Sequence, residues 1–431
     1  MTPQPRRIRT RVRPVLRLAM IAVLLTAGPL AFAHHEDTTL LVWAGDQAHQ
    51  APDFLAVIDF DRDSPTYGAV LRTVPLAGVG AVGNEPHHVG ISRDGRTLAL
   101  GGLLSILRGQ DQVFFFDVTN PRRPTFVRSD NPPDASITDE FAALRHGGFL
   151  ATFMGGPDGA NPGRVVEYDA HHRFVKAWPA VLPADGFNPH GISIDEAHNL
   201  MVTSDFICPL RTLHVHHGDA VDLRGSVRVW DLAARSITRT IVVGDPAHPA
   251  GTIDVKLIPH DRRQRAFTAG MADDQLYLVD PHRGTATAVF GFGAFAVPNA
   301  PVWPQLLRIN KHGTRLFITL NYAGAAGKVL MLDIERPEHP TLLGMVDLGR
   351  GSGPHYLSLT SDERRLVVSD YFLVEDLAPG GVVHAEGDHR IHVIDVHHDR
   401  LARDPRFDVD FNRDIGTGPS RPHGLAIMSA K

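Results

Sequence analysis

Histidines recur in this chain at one place in a repeated phrase. The phrase is a proline–histidine pair followed by alternating apolar residues, as in "EPHHVGIS", "NPHGISID", "GPHYLSLT" and "RPHGLAIM". Its histidines are His87, His88, His190, His355 and His423. Imidazole suits copper, zinc, iron and nickel, and a histidine set with few carboxylates favours copper or zinc. If these side chains meet in space, the sequence predicts a metal centre.

The phrase opens a longer repeat that must position these histidines. In each copy, an alternating apolar strand is followed by a turn with Asp, Asn or Gly, a second strand, and a third strand that ends on Asp. Alternation with period two indicates half-buried antiparallel strands rather than helices. Six units separate His88 from His423, which gives about 56 residues for each, a length typical of the longer propeller blades.

The two ends of the chain complete one another. The stretch "TTLLVWAG" to "DFLAVIDFD" supplies the later strands of a unit but has no Pro-His strand before it, and the C-terminal "PHGLAIM" is the missing strand. A propeller must close its ring, because an unpaired blade would expose a sheet edge. We therefore predict an all-β fold, a seven-bladed β-propeller whose last blade is closed by the N- and C-terminal strands.

In such a ring the Pro-His phrase opens the innermost strand of each blade, so the histidines converge on one mouth of the central channel. The matching positions of the other blades lie near Asp139, Asp254 and Gln305, which are candidates for supporting or proton-transfer groups. The alternative is a structural histidine of the repeat consensus. Because only four of the seven blades carry the histidine, the metal site is the favoured interpretation.

Residues 1–33 are expected to be a secretory signal peptide. All six of their charged residues are arginines, an apolar run follows from Leu18, and the segment ends with the small-residue signal Ala31-Phe32-Ala33. The apolar run is broken by Pro29 and is too short for a membrane anchor. We expect a single propeller domain over residues 34–431, exported and not inserted in a membrane after cleavage.

Charge and cysteine content exclude several classes of partner and site. The net charge is −5 for the whole chain and is more negative without the arginines of the first 33 residues. Nucleic acid is therefore not an expected partner. Cys208 is the only cysteine, so neither a disulfide nor a thiolate metal cluster can form within the chain.

Several stretches resemble the selenium-binding protein family, whose bacterial members include periplasmic methanethiol oxidases. They are "APDFLAVIDFDRDSPTYGAVLRTVPL", "NEPHHVG", "FNPHGISIDEAHNLMVTSDF" and "PVWPQLLRINKHGTRLFITL", in the family's order. The resemblance implies a seven-bladed propeller, a copper cofactor and a periplasmic location. It implies oxidation of a small thiol, methanethiol, by O₂ and water to formaldehyde, hydrogen sulfide and hydrogen peroxide.

By the resemblance, the family's paired histidines fall on His87 and His88, its mid-chain histidine on His190 and its near-terminal histidine on His423. His355 stands where animal members do not have histidine. The chain has "VGISRDGR" where animal members carry Cys-x-x-Cys, and "TDEFAALRHGG" where many relatives place a histidine, so that Asp139 or Glu140 takes that position.

Two carboxylates are predicted to act in catalysis from their inferred position beside the histidines. Glu85 and Asp254 are the candidates to accept a proton from the methyl carbon or from water. The alternative function is a non-catalytic propeller that binds a metal or another protein.

Overall fold

The alternating sequence forms antiparallel strands in nearly every described part of the chain. The computed structural model describes residues 37–78, 80–209, 222–298, 300–322, 326–370 and 387–429, the strands Val374–Glu375 and Val382–Val383, and residues 1 and 4. Two short 3-10 helices, Ser105–Arg108 and Gly293–Phe295, lie between the strands. The predicted signal peptide lies outside the described residues, apart from residues 1 and 4.

Six four-stranded sheets and one five-stranded sheet within the described residues form the blades, numbered here by their order around the ring. From the innermost strand outward, blade 1 is Pro86–Ile91, Thr97–Gly102, Val113–Asp117 and Thr125–Asp130; blade 2 is Ser136–Ala143, Phe149–Gly155, Arg164–Tyr168 and Phe174–Trp178; blade 3 is Pro189–Asp195, Leu200–Ile207, Leu223–Asp231 and Ser236–Val242; blade 4 is Thr252–Leu257, Ala266–Gly270, Gln275–Asp280 and Thr285–Gly291. Blade 5 is Val302–Ile309, Arg315–Tyr322, Ala326–Asp333 and Thr341–Arg350; blade 6 is Pro354–Leu359, Arg365–Asp370, Arg390–Val396 and Leu401–Arg403; blade 7 is Ser420–Ser429, Asp37–Asp46, Phe54–Asp59 and Val70–Pro75.

Three short strand pairings complete the set. Val409–Asp410 adds to the third strand of blade 6, Gly244–Asp245 pairs with His248–Pro249, and Val374–Glu375 pairs with Val382–Val383. No helix among the described residues has the length and apolar character needed to cross a membrane.

The termini close the ring as the sequence predicts. Ser420–Ser429 pairs antiparallel with Asp37–Asp46, with Leu40 opposite Ile427 and Val42 opposite Leu425. The same C-terminal strand contacts the inner strands of blades 6 and 1, so the inner strands follow one another around the channel without a gap. The seven-bladed propeller is confirmed, and its shared blade leaves no inner edge exposed.

Burial decreases from the middle of each blade to its outer edge. The second and third strands are largely buried because neighbouring blades cover both of their faces, and some, such as Phe149–Gly155 and Phe54–Asp59, are buried throughout. The fourth strands are largely exposed, as in Ser236–Val242. The repeat seen in the sequence contains only the first three strands, because the solvent-facing fourth strand lacks a continuous apolar pattern.

Every inner strand is irregular at the same place. The pairing register shifts between Pro86 and Val89 in blade 1, between Pro189 and Ile192 in blade 3, and between Pro354 and Leu357 in blade 6. Equivalent shifts occur in the inner strands of blades 2, 4, 5 and 7. A β-bulge leaves residues unpaired and redirects their side chains. The bulges contain the histidines, Asp139 and Gln305, which the repeat predicts at the channel mouth, whereas Asp254 directly follows the bulge of blade 4.

Candidate metal centre

The bulges bring the predicted histidines together at the axis of the ring. Ligand atoms fall into two overlapping groups, each within 4.8 Å. The first group is His87, His88, His355 and His423, and the second is His87, His88, Asp139 and His190. All six side chains are buried, and none is more than 7% exposed. Strands that are remote in sequence therefore build one shielded centre.

Hydrogen bonds between blades fix the backbone of the inner strands. The Thr319 hydroxyl donates to the His355 carbonyl at 2.8 Å, and the Thr152 hydroxyl donates to the His190 carbonyl. These two bonds join adjacent blades and satisfy carbonyls of residues in the bulges. The Tyr356 hydroxyl donates to the Val89 carbonyl at 3.0 Å, from blade 6 to blade 1. The position of each ligand thus depends on packing between blades.

Glycine follows the histidine in blades 3 and 7 for a steric reason. A Cβ on Gly191 would lie 2.6 Å from a carboxylate oxygen of Asp254, and one on Gly424 would lie 2.5 Å from the carbonyl of His87. Real Cβ atoms do not approach other atoms so closely. The Pro-His-Gly form of the phrase is therefore set by close packing of adjacent inner strands.

The central feature is a pair of imidazoles that face each other. The Nε2 atoms of His88 and His355 are 3.2 Å apart. The Nδ1 atom of His355 is 2.9 Å from the amide oxygen of Gln305, and the Nδ1 atom of His88 is 2.9 Å from the carboxylate of Asp139. The contact with Gln305 orients the His355 ring, whereas Asp139 lies at ion-pair distance from His88, whose Nδ1 has no hydrogen-bond partner among the described residues. The Nε2 atoms of the two rings face each other.

The imidazoles of His88 and His355 are both neutral near neutral pH. Burial, with the neighbouring His87, lowers the pKa of His88 to about 3, and burial with His88 and His87 holds the pKa of His355 well below its usual range. The two Nε2 atoms, 3.2 Å apart, are close enough that both could be ligands of one metal ion.

Asp139 supplies the one carboxylate of the centre. Its oxygens lie 3.5 Å from Nε2 of His87 and 3.2 Å from Nε2 of His190. Burial opposes ionisation, but the three adjacent imidazoles outweigh it and keep the pKa of Asp139 well below its usual range. Among the described residues, both ring nitrogens of His87 and Nδ1 of His190 have no hydrogen-bond partner. Buried donor atoms without partners fit a site for a bound ion.

The comparisons with known proteins decide the family. The model of the "56kDa selenium binding protein (SBP56)" family matches residues 28–278, more than half of the chain. This chain belongs to that family. The matched range includes His87, His88, Asp139 and His190 of the centre, and the predicted resemblance is confirmed.

Relatives match over most of their length. Selenium-binding protein 1 of Arabidopsis thaliana is 22% identical, with 87% of this chain and 86% of the relative covered. The methanethiol oxidase of Homo sapiens is 23% identical, with 87% of this chain and 89% of the relative covered. Among solved structures, a hypothetical selenium-binding protein from Sulfolobus tokodaii has a TM-score of 0.71 at 18% identity, covering 91% of this chain and 93% of that chain. The last likeness concerns the fold alone.

The two predicted catalytic carboxylates lie in ion pairs beside the centre of this SBP56-family protein. Glu85 is 3.8 Å from a guanidinium nitrogen of Arg421. One oxygen of Asp254 is 2.7 Å from the ammonium of Lys256, and the other accepts the N–H of Leu307 at 2.9 Å. Burial raises the pKa of Asp254, but Lys256 outweighs burial and the net shift is downward. Neither carboxylate belongs to the two ligand groups, and their catalytic roles stay predictions.

A third group of metal-binding residue types lies in blade 6. Nε2 of His392 is 3.1 Å from Asp370 and 3.6 Å from Asp388. His392 pairs with Val368 in blade 6, as Arg228 pairs with Thr203 in blade 3. Each of these two basic side chains contacts the aspartate two residues beyond its strand partner, Asp370 and Asp205 respectively. The blade 6 group is therefore the counterpart of the buried Arg228–Asp205 ion pair, and its position in the blade explains it as a structural contact.

Proposed function

We propose that this propeller is a copper-dependent oxidase of a small thiol. The reaction takes methanethiol, O₂ and water to formaldehyde, hydrogen sulfide and hydrogen peroxide. Carbon loses two electrons and O₂ gains two, so the equation balances. The proposal rests on the relatives named methanethiol oxidase and above all on the opposed Nε2 atoms of His88 and His355, 3.2 Å apart in a buried centre.

The donor set favours copper over hard cations. Five imidazoles and one carboxylate form the two ligand groups, whereas calcium and magnesium prefer oxygen ligands. Copper at this centre would supply an electron path from the thiol sulfur to O₂, and its charge would favour the thiolate form of the substrate. The protein residues hold and orient that ion.

Each residue has a defined part in this proposal. His88 and His355 present their Nε2 atoms, while Asp139 and Gln305 hold the opposite nitrogens and fix the rings. His87, His190 and His423 complete the ligand groups. Glu85 and Asp254 are proposed to accept the proton released by the substrate or by water. Burial of the centre keeps bulk water from the reacting thiol.

Metal analysis and turnover test the proposal together. We expect about one copper or more per chain and production of hydrogen peroxide and sulfide from methanethiol. Replacing His355 by leucine should remove most of the copper and the turnover, while His398→Leu, at an exposed position between strands of blade 6, should change neither. Copper without turnover would favour the non-catalytic binding propeller instead, and absence of copper from the protein isolated from its own cells would refute the proposal.

We also propose export to the periplasm with cleavage after Ala33, on the basis of the arginines, apolar run and small residues of the first 33 positions. Cell fractionation followed by N-terminal sequencing tests this. The expected sequence begins at His34, and a protein that retains Met1 would contradict the proposal.

A further inference from the structure

The six side chains of the metal centre form two ligand groups rather than one. Two residues belong to the first group alone, two to the second alone and two to both; in that order they are His355 and His423, Asp139 and His190, and His87 and His88. An ion held by the first group therefore leaves Asp139 and His190 outside its set of ligands.

His88 lies between the two groups and presents one ring nitrogen to each. Its Nε2 atom is 3.2 Å from Nε2 of His355, which belongs to the first group alone. Its Nδ1 atom is 2.9 Å from a carboxylate oxygen of Asp139, which belongs to the second group alone. The ring of His87 stacks on that of His88, with centroids 4.2 Å apart. The His88 imidazole is thus placed to bind one ion through each of its nitrogens.

The contacts of Asp139 are those of a metal ligand. Both of its carboxylate oxygens are buried and have no hydrogen-bond partner among the described residues. The carboxylate nevertheless lies 2.9, 3.5 and 3.2 Å from ring nitrogens of His88, His87 and His190. Donor atoms bound to one ion, each about 2.0–2.2 Å from it, lie close together without a hydrogen bond between them. The second group therefore has the arrangement of an ion site in its own right.

Protein cations beside the centre are engaged with other carboxylates. The guanidinium of Arg421 lies 3.8 Å from Glu85, and the ammonium of Lys256 lies 2.7 Å from Asp254. Buried charges in proteins are paired or coordinate metals. A metal ion in the second group would bring positive charge directly to the buried carboxylate of Asp139.

We propose that the centre holds two metal ions, one in each ligand group, with the imidazole of His88 bound to both. The identity of the first ion as copper rests on the proposed function. The second is a divalent first-row ion, because three imidazoles and one carboxylate suit zinc as well as copper, whereas calcium and magnesium prefer oxygen ligands. Since both nitrogens of His88 are then used, binding of the second ion releases the ring hydrogen as a proton to solvent.

Metal counting tests whether there are two sites. Metal-free protein is loaded with excess Cu(II), passed over a chelating resin that removes weakly bound copper, and assayed for metal. The wild type should retain two copper ions per chain, and His190→Leu, which keeps every residue of the first group, should retain one. His198→Leu is the matched control and should retain two, because His198 lies exposed in the turn after the inner strand of the same blade.

Electron paramagnetic resonance tests whether the two ions share His88. Two Cu(II) ions joined by one imidazole ring are magnetically coupled, so the wild-type signal at low temperature should integrate to less copper than metal analysis finds. The single ion of His190→Leu should integrate to its full copper content. Two tightly bound ions with a full signal would refute the shared ligand, and the wild-type spectrum decides this even if His190→Leu does not fold.

Thiol turnover separates this proposal from the proposed function. Two coupled copper ions in a protein that does not oxidise methanethiol would refute the oxidase and leave the two-ion centre standing. Oxidation of methanethiol by a protein that binds one ion would do the reverse. In the protein isolated from its own cells, two copper ions per chain, or one each of copper and zinc, would support the proposal and identify the second ion. A single ion there and after copper loading would overturn it.

Discussion

Asp139 belongs to the second ligand group and also contacts three imidazoles, so replacing it by asparagine should weaken copper binding more than replacing Gln305, which only orients a ligand. Asp139 contacts three imidazoles, those of His88, His87 and His190, at 2.9, 3.5 and 3.2 Å. Gln305 contacts one, that of His355, at 2.9 Å. The two side chains therefore offer an internal comparison in the same centre.

The expected loss of copper affinity depends on the number of imidazole rings that each side chain contacts. Loss of a group that orients a metal-bound histidine typically reduces metal affinity about 10–100-fold, or roughly 1.4–2.7 kcal/mol. Gln305→Leu releases one ring and should cost about tenfold. Asp139→Asn loosens three rings and removes a negative charge near the cation, so we expect about 100-fold or more.

Competition with a chromogenic copper chelator at fixed pH measures both affinities. Asp117→Asn is the control, because Asp117 is exposed at the end of the third strand of blade 1, and the copper affinity of this variant should equal that of the wild type. Circular dichroism should show that the variants keep the propeller. Wild-type affinity in Asp139→Asn, or a larger loss in Gln305→Leu than in Asp139→Asn, would refute the proposed arrangement of ligands.

Two further predictions concern the fold. Ending the chain after Pro419 removes the inner strand of blade 7 and leaves Asp37–Asp46 as an exposed apolar edge. We therefore expect the truncated chain to give no soluble folded protein. A soluble truncated protein with wild-type circular dichroism would argue against this. Burial raises the pKa of Asp53 from 3.8 to about 7, although hydrogen bonds from Asn84 oppose the shift. Between these two values the carboxyl group is ionised in the unfolded chain but protonated in the folded one. The free energy of unfolding should therefore fall by roughly 4 kcal/mol as pH rises from 4 to above 7. In urea unfolding across that range, Asp53→Asn should show a smaller fall than the wild type, and parallel curves would exclude this origin.

The closed seven-bladed ring could be predicted because each end of the sequence contains only part of a repeat unit. The phrase at Arg421–Met428 lacks its later strands, and the segment from Thr38 lacks its first, so pairing them is the one arrangement without an open inner edge. The fourth strands, such as Ser236–Val242, escaped notice because exposure removes the alternating pattern on which sequence interpretation depends.

The composition of the site could be predicted from repeat position, but its contacts could not. The repeat places Asp139 and Gln305 near the histidines, and the structure puts the first in contact with three rings and the second against His355. Side-chain rotamers within the bulges decide which ring nitrogens face one another, and these rotamers cannot be predicted from the sequence. The contact between Glu85 and Arg421 could not be predicted either, because these residues are far apart in sequence and come together only when the ring closes.

With the same geometry, a bound metal ion would tie the C-terminal strand to the inner strands beside it. His423 lies on the C-terminal strand of blade 7, whereas the ligands grouped with it, His87, His88 and His355, lie in blades 1 and 6. An ion bound by His423 must lose that ligand before Ser420–Ser429 can separate from its neighbours. Ligand binding to the folded state alone stabilises it by RT ln(1 + [L]/Kd), about 4 kcal/mol at a thousandfold excess over Kd.

Copper should therefore slow hydrogen exchange in one strand above all. We expect the amides of Ser420–Ser429 to gain more protection on copper loading than those of the second and third strands of blade 4, which contribute no ligand. In His423→Leu, copper retained by the remaining histidines should protect the inner strands of blades 1 and 6 but leave Ser420–Ser429 close to its metal-free rate. Equal protection of all strands in both proteins would mean that the ion stabilises the ring as a whole and does not hold its closing strand.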